Sequence, residues 1–281
     1  SVYAHLAPVE WKNKKINFID TPGYLDYEGE EDTGLTMGDN ALIVVSAKDS
    51  LQSGTERAWK KAVVQRKLPT ILFVNKLDDE NAVIEDLREK FGKSVFLFEL
   101  PIIKDRKVIG SVNILRNKAW YYDDPAEAKE VPAEIQPKVK EYYDEIAEAI
   151  AMSDDELMDK FFSGEEFSDA ELKRGVRIGV RNGEICPVYS GSAVNSIGIQ
   201  RLMDLIVSYF PTYSERGMYT ATTPNGVKVE LLTSETEVLT AQVFKTIVDP
   251  FVGRISYVKV LSGVLAADST VVNANNGKPE K

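Results

Sequence analysis

Three short stretches set polar residues directly after apolar runs. Asp20-Thr21-Pro22-Gly23 follows KINFI, Asn75-Lys76-Leu77-Asp78 follows TILFV, and Ser190-Gly191-Ser192-Ala193 follows ICPVY. A carboxylate at the end of a buried strand, such as Asp20, suits a divalent cation, and the Gly23 amide suits an anionic phosphate oxygen. A Pro-Gly turn after a strand is also ordinary punctuation. At Asp78, a carboxylate accepts paired hydrogen bonds from the N1 and exocyclic amine of guanine, an edge adenine lacks. Asn75 can donate to the ring's acceptors, and the aliphatic stem of Lys76 can lie over the base. Asp78 is equally good as a helix cap. Ser190 to Ala193 is small enough to offer backbone amides to a base carbonyl, though alone it is a simple turn.

The elements that must position these loops are legible in the pattern. KINFID (15–20), NALIVVSA (40–47), TILFVNK (70–76) and ICPVYSG (185–191) are strand-length and not strictly alternating, as expected of parallel strands covered on both faces. Residues 53–67 form a predicted helix, with Ser53 and Glu56 at capping-box spacing. A second helix carries Ile199, Leu202, Met203, Ile206 and Tyr209 and stops at Pro211. This alternation predicts a doubly wound α/β sheet over 1–211, whose polar loops share the crevice at the carboxyl ends of the strands. An inserted α+β subdomain is expected over about 93–184. It contains strand-like SVFLFELPI, KVIGSV and KAWYY, a long acidic helix from about Pro137 to Phe162, and a helix with Ser168 and Glu171 at capping-box spacing. Residues 212–237 read as a linker and hairpin, and 238–281 as the first strands of a β-barrel, since three strands cannot close one.

Composition narrows the classes. The 281 residues carry a net charge of −10, which argues against broad, non-specific nucleic-acid binding and predicts no free DNA binding. Cys186 is the single cysteine and His5 the single histidine, so zinc clusters and Ser-His or Cys-His nucleophile systems are set aside. No apolar stretch approaches the roughly 18 residues a membrane span needs, and the first residues do not read as a signal peptide. A cytoplasmic protein without a membrane partner is expected.

D-T-P-G, N-K-L-D and S-G-S-A, in this order and with the large insertion between the last two, resemble the translational GTPases, most closely elongation factor G. S-A-K-D-S-L-Q-S-G-T-E-R-A-W and P-G-Y look more like the second-type elongation-factor-G-like proteins. The resemblance implies GTP/GDP and Mg²⁺ as cofactors. It implies nucleotide binding by Asp20, Thr21, Pro22, Gly23, Asn75, Lys76, Leu77, Asp78, Ser192 and Ala193, with Asp20 facing Mg²⁺ through water. It also implies a ribosomal partner, met at the GTPase centre of the large subunit, with the acidic insertion facing the basic stalk protein. Without the resemblance, that acidic helix reads equally as a solvated face.

Two departures stand out. The phosphate-binding loop G-x-x-x-x-G-K-[ST] and the switch threonine do not occur in these residues, so the chain is expected to be part of a longer GTPase, to bind GTP poorly and to be inactive by itself. Tyr24 stands where the family carries a catalytic histidine, and a phenol cannot become cationic near neutrality. Thr33 and Thr36 replace expected arginines, and Gly29, Gly34 and Gly38 weaken the acidic segment 28–38 as a helix, so this segment is expected to be mobile. The resulting expectation is a GTP-hydrolysing, ribosome-associated factor coupling hydrolysis to a step such as translocation. The alternatives are a ribosomal-protection or release-type relative, and a slow or non-hydrolysing GTP-dependent ribosome binder.

Overall fold

The computed structural model describes residues 2–49, 51–77, 83–105, 107–223 and 225–281. The elements run β1 (His5–Trp11), β2 (Lys14–Asp20), α1 (Glu28–Met37), β3 (Ala41–Ser46), α2 (Ser53–Trp59), β4 (Thr70–Asn75), α3 (Val83–Phe91), β5 (Val95–Leu97), β6 (Glu99–Lys104) and β7 (Lys107–Asn113). They continue with β8 (Lys118–Tyr121), β9 (Asp124–Lys129), α4 (Gln136–Ala151), α5 (Asp155–Phe162), α6 (Asp169–Asn182), β10 (Cys186–Ser190) and α7 (Ile199–Tyr209). Last come β11 (Met218–Thr222), β12 (Lys228–Leu232), β13 (Thr240–Asp249), β14 (Gly253–Ser262), β15 (Val271–Val272) and β16 (Pro279–Glu280). The chain divides into two compact units, residues 1–28 with 40–210, and residues 29–39 with 211–281.

The first unit is built on a parallel sheet ordered β3-β4-β10-β5. Ile71, Leu72, Val74 and Val188 are at most 1% exposed, which explains why these strands read as continuous apolar runs rather than alternating ones. Trp59 of α2 stacks on Phe91 of α3, with ring centroids 4.5 Å apart. Phe98 packs against the rings of Tyr189 and Tyr209. The α/β class expected from the sequence is the one observed.

Four details differ from the expectation. The strand ending at Asp20 is not in this sheet; among the described residues it pairs only with β1, in an antiparallel hairpin. The hairpin turn is Lys12-Asn13, both with positive φ (47° and 59°), the conformation a tight two-residue hairpin demands. Ser53 does not cap α2, since Gln52 is the N-cap residue and makes no side-chain cap bond. Glu56 instead pairs with Lys90 at 2.9 Å. The helix expected over 137–162 is two helices, because Asp154 accepts from the Glu156 and Leu157 amides and starts α5. Finally, segment 28–37 is helical (α1), with the Thr33 and Thr36 hydroxyls turned back onto the Gly29 and Asp32 carbonyls.

The inserted sheet is ordered β6-β7-β8-β9 and antiparallel throughout. Ser168 and Glu171 form the expected capping box on α6. Lys160 and the Ser168 hydrogen bonds hold the Glu171 carboxyl down, to about 2. The second unit contains three antiparallel hairpins, β11-β12, β13-β14 and β15-β16.

Candidate functional site

The loops after β4 and β10 are brought together by the sheet. Because these strands are parallel neighbours, both loops leave at the same, carboxyl, edge. Gly191 N–H donates to Val74 O at 2.9 Å, and Leu77 N–H donates to Gly191 O at 3.0 Å. The Ala193 amide donates to Asn75 Oδ1 at 2.9 Å. Asn75 therefore commits its carbonyl oxygen within the protein, and its Nδ2 is the end suited to donate to a ligand. Lys76 takes the left-handed conformation (φ 65°) and is exposed, while Leu77 is 1% exposed. One apolar anchor thus pins the loop while Lys76 beside it faces solvent. Asp78 lies outside the described residues.

Gly191 is required by space. A Cβ there would sit 2.3 Å from Ile197 O and 3.0 Å from the Phe73 ring. The loop closes through paired Ser192 and Ile197 backbone bonds of 3.0 and 2.9 Å, and Asn195 Nδ2 donates to Ser192 Oγ at 3.2 Å. Ser190 Oγ is buried with no hydrogen-bond partner among the described residues. A lone buried hydroxyl of this kind is destabilising unless something satisfies it.

Beside these loops, at the carboxyl ends of β3 and β4, a groove of about 250 Å³ is lined by Ser46, Asp49, Gln52, Thr55, Asn75 and Lys76 among others. Sequence reasoning missed its first four residues. The signal was present, since A-K-D-S-L-Q directly follows the carboxyl end of a core strand.

The Asp20–Tyr24 loop is built differently. Asp20, Gly23 and Tyr24 are exposed, Thr21 is partly buried, and Pro22 is buried. Arg57 Nη2 donates to Gly23 O at 3.1 Å, fixing the loop against α2. A Cβ on Gly23 would meet nothing within 4 Å. Tyr24 is 75% exposed and precedes a short 3₁₀ turn, Leu25–Tyr27.

A buried ion pair ties the inserted sheet to α7, the helix that follows the Ser190–Ala193 loop. Glu99 of β6 is 3% exposed and meets Arg201 of α7 at 3.1 Å. Arg201 also donates to Ser111 Oγ at 2.6 Å. Burial pushes the Glu99 carboxyl up to about 7, against the opposing charge of Arg201. Cys186 is buried, which raises its thiol and leaves it a packing residue.

A parallel sheet with polar loops gathered at the carboxyl edge of its strands is the arrangement by which open α/β domains bind ligands. Residues 1–212 match the family described as elongation factor Tu GTP binding domain. The whole chain is 37% identical over 286 aligned positions to an elongation factor G-like protein of Thermotoga maritima, of which it covers 41%. A crystal structure of a Thermus thermophilus protein superposes with a TM-score of 0.81 at 32% identity, over 96% of this chain and 38% of that one. The chain belongs to the family described as elongation factor Tu GTP binding domain. It spans about two fifths of the length of the curated relative it matches. No helix among the described residues is long and apolar enough to cross a membrane.

Proposed function

We propose that this chain supplies the guanine-recognition half, and part of the phosphate-sensing half, of a ribosome-associated GTPase. In the whole protein, GTP hydrolysis would drive a conformational step such as translocation. The observation that carries this reading is the mutual locking of the Asn75–Leu77 and Ser190–Ala193 loops through the Ala193–Asn75 and Leu77–Gly191 bonds. Asn75 Nδ2 and small-residue backbone lie together at that edge, beside an open groove. Asp78 would read the guanine N1 and amine. Ser192 and Ala193 would line the base site, and Ser190, with its unsatisfied hydroxyl, fits a polar ligand.

Among the described residues no group of three His, Cys, Asp or Glu could hold a metal ion by itself. Asp20, one exposed carboxylate, suits a water-mediated contact to a Mg²⁺ held mainly by nucleotide phosphates. Magnesium so placed would neutralise phosphate charge. Thr21, Pro22 and the Gly23 amide would sense the terminal phosphate, with Tyr24 beside the attacking water.

The stalk protein of the large subunit is the proposed partner of the acidic insertion helices. The basis is family resemblance together with charge: residues 136–162, from α4 through α5, contain eight acidic residues and three lysines. A slow or non-hydrolysing factor is the second reading. It is favoured by the exposure of Tyr24, whose side chain stands largely in solvent.

The test is nucleotide competition on the whole protein. Asp78→Asn should shift preference from guanosine toward xanthosine nucleotides, because the amide can donate to the extra xanthine carbonyl. Unchanged guanine preference in that variant would remove Asp78, and with it this base site, from the proposal.

A further inference from the structure

Helix α1 is a poor helix by itself. Its sequence, EGEEDTGLTM, has two internal glycines and no basic residue in its last turn. Glycine is among the least helix-favouring residues, and a helix this short is marginal in water without packing. Yet residues 29–39 group with 211–281 as one compact unit, and the contacts that hold them are specific.

Three groups converge on the carboxylate of Asp39, two residues beyond the helix. Lys259 Nζ donates to it at 2.7 Å, Tyr219 OH at 2.7 Å and Arg216 Nη1 at 3.1 Å. Lys259 Nζ also donates to Met37 O at 2.7 Å, placing a cation at the carbonyl end of α1, where the helix dipole favours one. The Tyr219 ring lies 4.7 Å from the Arg216 guanidinium carbon and 5.5 Å from Lys259 Nζ. Near the other end of α1, Lys245 meets Glu30 at 3.2 Å. The Asp39 and Lys259 side chains keep 23% and 17% exposure, so the pair is shielded from screening by salt more than a surface pair is.

Burial alone would raise the Asp39 carboxyl, but Lys259, Tyr219 and Arg216 outweigh it and hold it below its ordinary value. Lys259 is lowered as well, since burial of its ammonium and repulsion from Arg216 exceed what Asp39 returns. The carboxylate is thus the member that gains, shared among three donors.

We infer that Asp39 is a positioning residue, the latch that fastens α1 to the β13-β14 hairpin and the Arg216–Tyr219 segment. The acidic helix that follows the Asp20–Tyr24 loop then takes its order from the strands late in the chain. Its bearing on turnover rests on the GTPase reading above, but the latch itself does not, and its test needs no nucleotide.

The test is hydrogen–deuterium exchange on the 281-residue chain, comparing wild type with Asp39→Asn, Lys259→Met, the double variant and Tyr219→Phe. Hydrogen bonds to a half-buried charge are strong enough that Asp39→Asn should speed exchange across 29–38 by roughly ten-fold or more. Peptides of β3, β4 and β10 should be unchanged. Lys259→Met should give the same local pattern, and the double variant should add little to either single one. Tyr219→Phe, which keeps both ion pairs, should loosen the same segment by only a few-fold.

Unchanged exchange over 29–38 in Asp39→Asn overturns the inference, as does full additivity in the double variant. If Asp39→Asn unfolds the chain, Tyr219→Phe decides. A rise confined to 29–38 and the strands around it supports the latch, and a uniform rise through β3, β4 and β10 makes Asp39 a general stability residue instead.

Discussion

The two loop regions of the first unit are built on opposite principles. The pair after β4 and β10 is held by backbone bonds between parallel neighbours, an apolar anchor at Leu77 and a glycine with no room for a side chain. The Asp20–Tyr24 loop hangs from a strand paired with β1 alone among the described residues, is tied to α2 by a side-chain bond from Arg57, and has open space at its glycine. On the proposed reading, the difference is between a base site shaped by the fold and a phosphate loop left open to its ligand. Base recognition demands fixed geometry in every state. Phosphate sensing requires a loop whose arrangement can change when the terminal phosphate leaves.

The largest expected effect lies in the open loop. In the whole protein, Tyr24→His should raise ribosome-stimulated GTP turnover by about 10²-fold, the scale of one positioned transition-state group. Tyr24→Phe should leave turnover nearly unchanged, because the side chain is solvent-facing. Single-turnover hydrolysis with GTP affinity measured in parallel separates the outcomes. A loss of about 10²- to 10³-fold in Tyr24→Phe would instead make the phenol a working catalytic group.

Glycine scanning probes the contrast directly. Gly191→Ala must displace Ile197 O or the Phe73 ring, and should cost about 1–3 kcal/mol in urea unfolding of this chain. Gly23→Ala meets no atom within 4 Å and should leave the unfolding midpoint where it is, so a defect it causes in the whole protein would, on the proposed reading, be one of phosphate contact. Equal losses at both positions would erase the distinction.

The third expectation sharpens the base side, through the Glu99 tether to α7. The folded protein raises this carboxyl from 4.5 to about 7. Between those values the folded state holds a proton that the unfolded state has released. Stability therefore falls as pH rises from about 4.5 to 7 and levels off above that. The contribution is roughly 3 kcal/mol, at about 1.4 kcal/mol per pH unit. Glu99→Gln should flatten this slope in unfolding titrations. A slope unchanged in that variant would assign the pH dependence elsewhere.

β4 and β10 were readable in the sequence because each is buried along almost its whole length, and β3 because its apolar run is continuous even though Val44 is exposed. NALIVVSA, TILFVNK and ICPVYSG became Ala41–Ser46, Thr70–Asn75 and Cys186–Ser190 with ends shifted by about a residue. β1 escaped notice because HLAPVEW is a mostly exposed edge strand containing a proline, and its turn is written Lys-Asn rather than Asn-Gly. The break at Asp154 was legible in retrospect, since Ser153-Asp154 before an acidic turn is a helix start; the acidic run on either side concealed it. The candidate site residues could be read because they cluster at strand ends. The groove residues Ser46, Asp49, Gln52 and Thr55 were signalled by their place after a core strand but went unread, and the Glu99–Arg201 tether could not be read, because it joins residues far apart in the chain.

The pairing of β3 has a practical consequence for anyone handling this polypeptide. Among the described residues it bonds only to β4, and Val44 in its middle is 56% exposed. A strand with one bare edge and an uncovered valine is a template for another strand. In concentrated preparations the isolated chain should self-associate edge to edge, with turbidity and sedimentation that depend on protein concentration. A charged residue in place of Val44 is the simplest remedy for anyone purifying it.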